Sequence, residues 1–269
     1  MTLLRLAMWS GPRNISTAMM RSWGNRSDTV VCDEPLYAYY LNATRKPHPG
    51  LEEVIAAGET DWRKVVEWLT DRRPLAPRDA MEPPFLRDGA PANSPNRISR
   101  SEVPTIFYQK HMTHHLLPEV SREWLGRVTN CFLIRHPREM LASYVKIVEV
   151  PELEDTGFPQ QTEIFEWVRQ HTGRMPPILD SADVLQDPRR MLGLLCDALG
   201  TSFQEAMLAW PPGPRATDGV WAKYWYGEVL KSTGFRPYQP KHIELPDWLQ
   251  PVYRNCLNHY ERLYELRIR

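Results

Sequence analysis

Leu3-Leu4-Arg5-Leu6-Ala7-Met8-Trp9-Ser10-Gly11-Pro12-Arg13-Asn14-Ile15-Ser16-Thr17 opens the chain with a short apolar run, a tight turn and two hydroxyls. The run Leu3 to Trp9 has the length and apolar character of a buried parallel strand, and Ser-Gly-Pro ends it. From Ser16 to about Trp23, Ala18, Met19, Met20 and Trp23 give a helix its apolar side. A strand, a turn and a helix start leave the first N–H groups of the helix unpaired, with the positive end of its dipole over the turn, which suits an anion. A second stretch repeats the pattern: Val128 to Ile134 reads as a strand, Arg135-His136-Pro137 follows, and a helix is expected from Arg138 to about Val148. Ser143, eight residues after Arg135, then lies two turns into that helix. An arginine can grip phosphate oxygens as a fork while a hydroxyl adds one more bond. Two such places suggest one ligand with two separate phosphate groups. Each taken singly also has a plain reading, a capped turn for Gly11 to Asn14 and a surface ion pair for Arg135.

Between and after these motifs the chain alternates strand and helix. Thr29 to Cys32 reads as a strand ending at Asp33-Glu34-Pro35, Pro104 to Lys110 as another, and Ile178-Leu179 as a short one. Helices are expected at Glu163–His171, at Asp187–Leu199 with Pro188 in the first turn, and at Trp248–Leu266. The pattern implies one α/β domain over residues 1–269: a three-layer P-loop fold with a central, mainly parallel sheet of about five strands. Residues 42–103 depart from it. Pro, Arg and Asp become frequent there, with helical stretches near Leu51–Ala57 and Asp61–Thr70 and a loop over Ala76–Arg100, so this segment is expected to be a helical cap or insertion.

Composition narrows the function. The 33 basic and 33 acidic residues balance, giving no long-range field toward nucleic acid or a membrane surface. Cys32, Cys131, Cys196 and Cys256 are scattered without a CxxC pair, as expected of reduced thiols. With a strand almost at the N-terminus and no apolar stretch of membrane-spanning length, a cytoplasmic protein is expected. The first loop also departs from the Walker A pattern: Gly11 and Ser16-Thr17 are present, but the second glycine and the lysine are not. Arg13 is the only cation in the loop, and the strand Val128–Ile134 ends in Arg135 instead of a metal-binding aspartate.

These motifs resemble those of the sulfotransferases that use 3′-phosphoadenosine 5′-phosphosulfate. Pro12-Arg13-Asn14-Ile15-Ser16-Thr17 is similar to that family's P-[KR]-S-G-T-[TS] loop, and Arg135-His136-Pro137 with Ser143 to its R-[ND]-P and following serine. Ile178 to Pro188, with Leu199-Gly200 beyond, resembles its Y-E-D-L-x-x-x-P segment, and Asp33-Glu34-Pro35 the E-P-F of bacterial members. The resemblance implies a co-substrate, 3′-phosphoadenosine 5′-phosphosulfate, with no metal. Gly11, Pro12, Arg13, Asn14, Ile15, Ser16 and Thr17 would surround its 5′ end, and Arg135 and Ser143 its 3′-phosphate. Arg13 would take the electrostatic part of the loop lysine. The base is expected at His111, by similarity of Gln109-Lys110-His111 to the family's K-T-H segment; His114 comes second, and Glu34 is a rival.

There are departures from the family's pattern. Ile15 stands where the loop has glycine, and a β-branched residue does not cheaply take a positive φ. Ser181 replaces a tyrosine, and only Lys231-Ser232-Thr233-Gly234 hints at the closing R-K-G-x-x-G. His111, His114 and His115 have helical spacing, a second and metal-binding reading, although no carboxylate or cysteine stands beside them in sequence to complete a ligand set. The expected activity is sulfuryl transfer to the hydroxyl or amine of a small molecule, without nucleic-acid or membrane partners; a homodimer is compatible with the sequence. A P-loop kinase or nucleotide-binding protein is one alternative, and a catalytically degenerate sulfotransferase-like binding protein is another.

Overall fold

β1 (Leu4–Ser10) is the centre of the structure, paired in parallel with β3 (Ile106–Met112) on one side and β4 (Thr129–Ile134) on the other. These relations come from a computed structural model that describes residues 3–71, 104–240 and 242–269. β2 (Thr29–Asp33) lies outside β3 and β5 (Ile178–Asp180) outside β4, so the all-parallel sheet has the order β2-β3-β1-β4-β5. After β1 the chain turns toward the β2 edge, and after β4 it turns toward the β5 edge. The two loops diverge from neighbouring strands, and that is where an open α/β sheet forms its crevice.

Strand periodicity sorts the core into two layers. Leu6 and Met8 of β1 face one side with Ile106 and Tyr108 of β3, under α1 (Ser16–Gly24) and α8 (Pro188–Ala198). Ala7 and Trp9 face the other with Phe107 and Phe132, under α4 (Trp62–Thr70), α6 (Phe158–Thr172) and α10 (Gln250–Tyr264). Such alternation on two buried faces is the signature of a parallel sheet covered on both sides.

The sequence expectation of an α/β fold with about five parallel strands matches this architecture. Several boundaries differ. The helix after Arg135, α5, spans Pro137–Tyr144 and stops short of Val148, while α6 begins at Phe158 because Pro159 is tolerated in its first turn. Three further helices, α2 (Tyr37–Thr44), α7 (Ser181–Gln186) and α9 (Ala222–Trp225), go beyond the sequence expectation. Within the expected cap, α3 (Leu51–Ala57) packs beside α2, but α4 returns to the sheet: Val65, Val66 and Leu69 join the core under Phe107, and Gln109 donates to the Leu69 carbonyl at 3.0 Å. The rest of that expectation, residues 72–103, lies outside the described residues. Among the described residues no helix is long and apolar enough to cross a membrane.

Gly11 shows how tightly the first turn is seated. A β-carbon there would stand 2.8 Å from the Thr156 carbonyl oxygen, a backbone atom that cannot step aside. Gly11→Ala is therefore expected to destabilise the fold by about 1–3 kcal/mol, measured as a lower urea midpoint with an unchanged m-value.

Candidate functional site

The loop between β1 and α1 bends at Arg13, not at Ile15. Arg13 has φ 52°, in the left-handed region, whereas Ile15 has φ −84°. The expected difficulty at Ile15 therefore does not arise, and its side chain packs toward the α1 layer of the core. The loop is shaped by Asn14, whose Oδ1 accepts from the Ile15 N–H at 2.8 Å while its Nδ2 donates to the Leu133 carbonyl of β4 at 2.8 Å. No side chain caps α1 and its first turn has no acidic residue, so Ser16, Thr17 and Ala18 bring unpaired helix N–H groups to the cavity that they line.

The second motif is built differently. His136 caps α5, its Nδ1 accepting from the Arg138 N–H at 3.3 Å, and Pro137 occupies the first turn. That helix start is thus filled by the protein itself, and the cation falls to Arg135. Arg135 donates through Nη1 to the Arg13 carbonyl at 2.6 Å and pairs with Glu139 at 3.0 Å. Arg13 in turn donates through Nε to the Ser143 hydroxyl at 3.1 Å. The two motifs meet in space, and burial together with the Arg135 charge holds the Arg13 guanidinium below its usual range.

All of this borders one cavity of about 690 Å³. Pro12 through Thr17, Arg135 and Ser143 line it, as do Ser232, Gly234 and Arg236 from the C-terminal third. Gly11 does not; it belongs to the packing against Thr156 described above.

The other end of the cavity separates the candidate bases by position. His111 does not line it. In β3, residues 107, 109 and 111 share one face and 106, 108, 110 and 112 the other, so His111 is turned into the core. It stacks on Trp9, its register partner, at 4.4 Å and lies 5.7 Å from Trp124. Burial pushes its imidazole down to about 3. The neighbour on the opposite face, Lys110, reaches the cavity with Glu34, Tyr226, His114 and His115. His114 and His115 arrive there because the chain leaves β3 in a single turn of 3-10 helix, Thr113–His115. His115 is sandwiched by Tyr37 and Tyr40, each at 4.7 Å. Burial, with His48 and Lys46 nearby, pushes His114 down to about 3, and burial pushes His48 to about 4. Among the described residues no group of His, Cys, Asp and Glu is arranged to hold a metal.

Glu34 directly follows β2 with φ 41°, an uncommon state for a non-glycine residue and more so before proline. Its carboxyl is raised by burial, against the lowering effect of Lys110. Sequence reasoning places Lys110 and Asp33 inside motifs without a role of their own and does not join Tyr226 to them. A signal existed for the first two: a lysine inside an apolar strand needs a buried counter-charge, and Asp33 ends the neighbouring strand. Tyr226 carried no such signal, because its place depends on a remote segment folding back.

Residues 4–77 and 88–254 match the family described as Sulfotransferase domain. Two Arabidopsis thaliana proteins are similar, branched-chain-amino-acid aminotransferase-like proteins 1 and 2. They are 32% identical over 93% of this chain and 31% over 95% of it. The matches cover 41% and 40% of those proteins, so the chain spans about two fifths of the length of the curated relatives. Among solved structures, a sulfotransferase from Alicyclobacillus acidocaldarius aligns at 11% identity over 100% of this chain and 98% of that one, with a TM-score of 0.49. The sulfotransferase domain of the Synechococcus PCC 7002 olefin synthase aligns at 16% over 93% of each, with a TM-score of 0.43.

Glu34→Gly and Glu34→Ala remove the same carboxylate, and because the backbone is left-handed there the glycine variant is expected to be about 1 kcal/mol more stable by urea titration. The buried imidazoles of His111, His114 and His48 stay neutral in the fold while unfolded ones bind protons below about pH 6.5. Their contribution is intact above pH 6.5 and is lost as pH falls from there toward 4 and 3, at about 1.4 kcal/mol per pH unit for each ring. His111→Gln should make the fall of urea-measured stability between pH 6.5 and 5 shallower by one such slope; an unchanged slope would contradict the burial of a neutral ring.

Proposed function

For a chain that belongs to the sulfotransferase-domain family, we propose transfer of a sulfuryl group from 3′-phosphoadenosine 5′-phosphosulfate to the hydroxyl or amine of a small molecule. The observation that carries this reading is the junction of the two motifs: Arg13 bonded to Ser143, Arg135 bonded to the Arg13 carbonyl, all on one cavity wall. It suits a ligand with anionic groups at both ends of an adenosine.

When bound, the donor supplies an activated sulfuryl group and a phosphate leaving group. The α1 N–H groups with Ser16 and Thr17 hold its 5′ end, where uncapped donors are available without side-chain rearrangement. Arg13 stabilises charge at the leaving oxygen; a guanidinium does so electrostatically and does not serve as an acid. Arg135 and Ser143 hold the 3′-phosphate, with Arg135 exchanging Glu139 for it.

Glu34 takes the acceptor's proton. A base works best with its pKa near the working pH, and burial raises Glu34 in that direction. His114 shares the cavity, but an imidazole pushed down to about 3 is a weak base. The aminotransferase-like name of the relatives would call for a lysine free to form a Schiff base. Lys110 is bonded to two carboxylates, and their charges hold its ammonium above the usual range despite burial. A small-molecule acceptor and a cytoplasmic setting complete the reading, in keeping with a balanced formal charge.

The test is binding of 3′,5′-diphosphoadenosine. It is expected to raise the melting temperature, with ADP, which lacks the 3′-phosphate, binding more weakly. Arg135→Ala should lose about 10–100-fold for the diphosphate and little for ADP. Glu34→Gln should keep the diphosphate affinity and lose donor turnover across an acceptor panel. No stabilisation at millimolar ligand overturns the donor assignment, and binding without any turnover by the unsubstituted chain favours a binding protein.

A further inference from the structure

A buried ammonium is tolerated only where it is fully bonded and counter-charged, and Lys110, 1% exposed, meets both conditions. Its Nζ donates to Asp33 Oδ1 at 2.9 Å, Glu34 Oε1 at 2.5 Å and the Tyr226 hydroxyl at 2.7 Å. Three donors meet three acceptors. Local structure explains the pairing. The parallel register sets Asp33 opposite Lys110, and strand parity turns both to the α1 side of the sheet.

The cluster is not symmetrical. Asp33 also accepts from the Tyr226 hydroxyl at 2.7 Å and from the Gly219 N–H at 3.3 Å. Tyr226 is held by the Trp221 indole N–H at 3.2 Å. Asp33 and Lys110 therefore form a bonded, charge-balanced pair beneath the cavity. Two carboxylates against one ammonium leave one negative charge, and it falls to Glu34, which lines the cavity and is bonded to Lys110 through Oε1. Lys110 holds Glu34 at a second point: its backbone carbonyl accepts from the Glu34 N–H at 2.9 Å. That bond fixes the residue in its left-handed conformation.

We propose that Lys110, anchored by Asp33 and Tyr226, is a positioning residue that fixes the Glu34 carboxylate by backbone and by Oε1, leaving Oε2 to take the acceptor's proton. The inference rests on the reading of Glu34 as the base. In the step it serves, the acceptor oxygen or nitrogen forms the new bond to sulfur and its O–H or N–H proton joins Glu34 Oε2, while the bond from sulfur to the donor's phosphate oxygen breaks and its electron pair leaves with the phosphate. The cluster passes from one negative charge to none, and Lys110 keeps its proton. The titratable groups around Glu34 are Asp33 from β2, Lys110 from β3, Tyr37 from α2 and Tyr226 from the segment after residue 219, with His115, kept neutral by burial, beside Tyr37. Burial and Asp33 raise the Glu34 carboxyl, and Lys110 alone among the charged groups lowers it strongly.

The test is carboxyl carbon NMR on the full chain labelled at glutamate, with the Glu34 signal identified by its loss in Glu34→Gln. Lys110→Met strips the counter-charge from two buried carboxylates, so the paired exchange Asp33→Asn with Lys110→Met, which keeps the cluster at one negative charge, serves beside it. In the folded paired variant the Glu34 midpoint is expected to rise by about one pH unit or more, and the acid limb of donor turnover to rise with it. Lys110→Arg, which keeps the charge, should stay near the unsubstituted midpoint. A paired variant with native amide spectrum and an unmoved Glu34 midpoint overturns the positioning role, even if diphosphate binding is intact. Failure of the unsubstituted chain to bind the diphosphate would instead strike the donor reading, which the carboxyl titration does not use.

Discussion

The parallel pairing of β1 between β3 and β4 is the constraint on which the site depends. It brings three strand ends to one edge of the sheet, so that the loop after β1, the turn after β4 and the exit from β3 open into the same space. Because β1 and β4 send their chains toward opposite edges, the space between them is not closed by either connection. Asn14 reinforces that geometry by tying the first loop to the Leu133 carbonyl, near the end of β4. Arg13 and Arg135 then come to lie side by side at positions that sequence separates widely.

Two like charges at close range need a reason to stay. Here each guanidinium is bonded to a neutral or opposite partner, Arg13 to Ser143 and Arg135 to the Arg13 carbonyl and Glu139. Burial, with the Arg135 charge beside it, still holds the Arg13 guanidinium below its usual range. At the far end of the cavity the balance is reversed, with two carboxylates around one ammonium. Such a cavity, electropositive toward the loop and electronegative toward Glu34, suits the proposed reaction, in which an anionic donor meets an acceptor that must lose a proton.

Strained backbone concentrates at the same places. Arg13, within the loop after β1, and Glu34, directly after β2, are both non-glycine residues at positive φ and both line the cavity. A third such residue, Arg45, serves only as the left-handed cap of α2. Hydrogen bonds hold the first two in place: the Glu34 N–H donates to the Lys110 carbonyl of β3, and the Arg13 carbonyl accepts from the Arg135 side chain just after β4.

The sequence by itself determined the α/β class and the strand-turn-helix units at Ser10–Thr17 and Ile134–Ser143, on which the proposed phosphate binding rests. These are local properties: apolar run length, turn residues and hydroxyl spacing act within a dozen residues. The tertiary structure alone decided which histidine meets the cavity, because His111 and Lys110 differ by one step of strand parity, which sequence cannot orient without knowing what covers each face. It also decided that the positive φ falls on Arg13 and not Ile15, and that Tyr226 returns to lock Lys110. Those outcomes depend on contacts between segments far apart in the chain, and no local propensity encodes them.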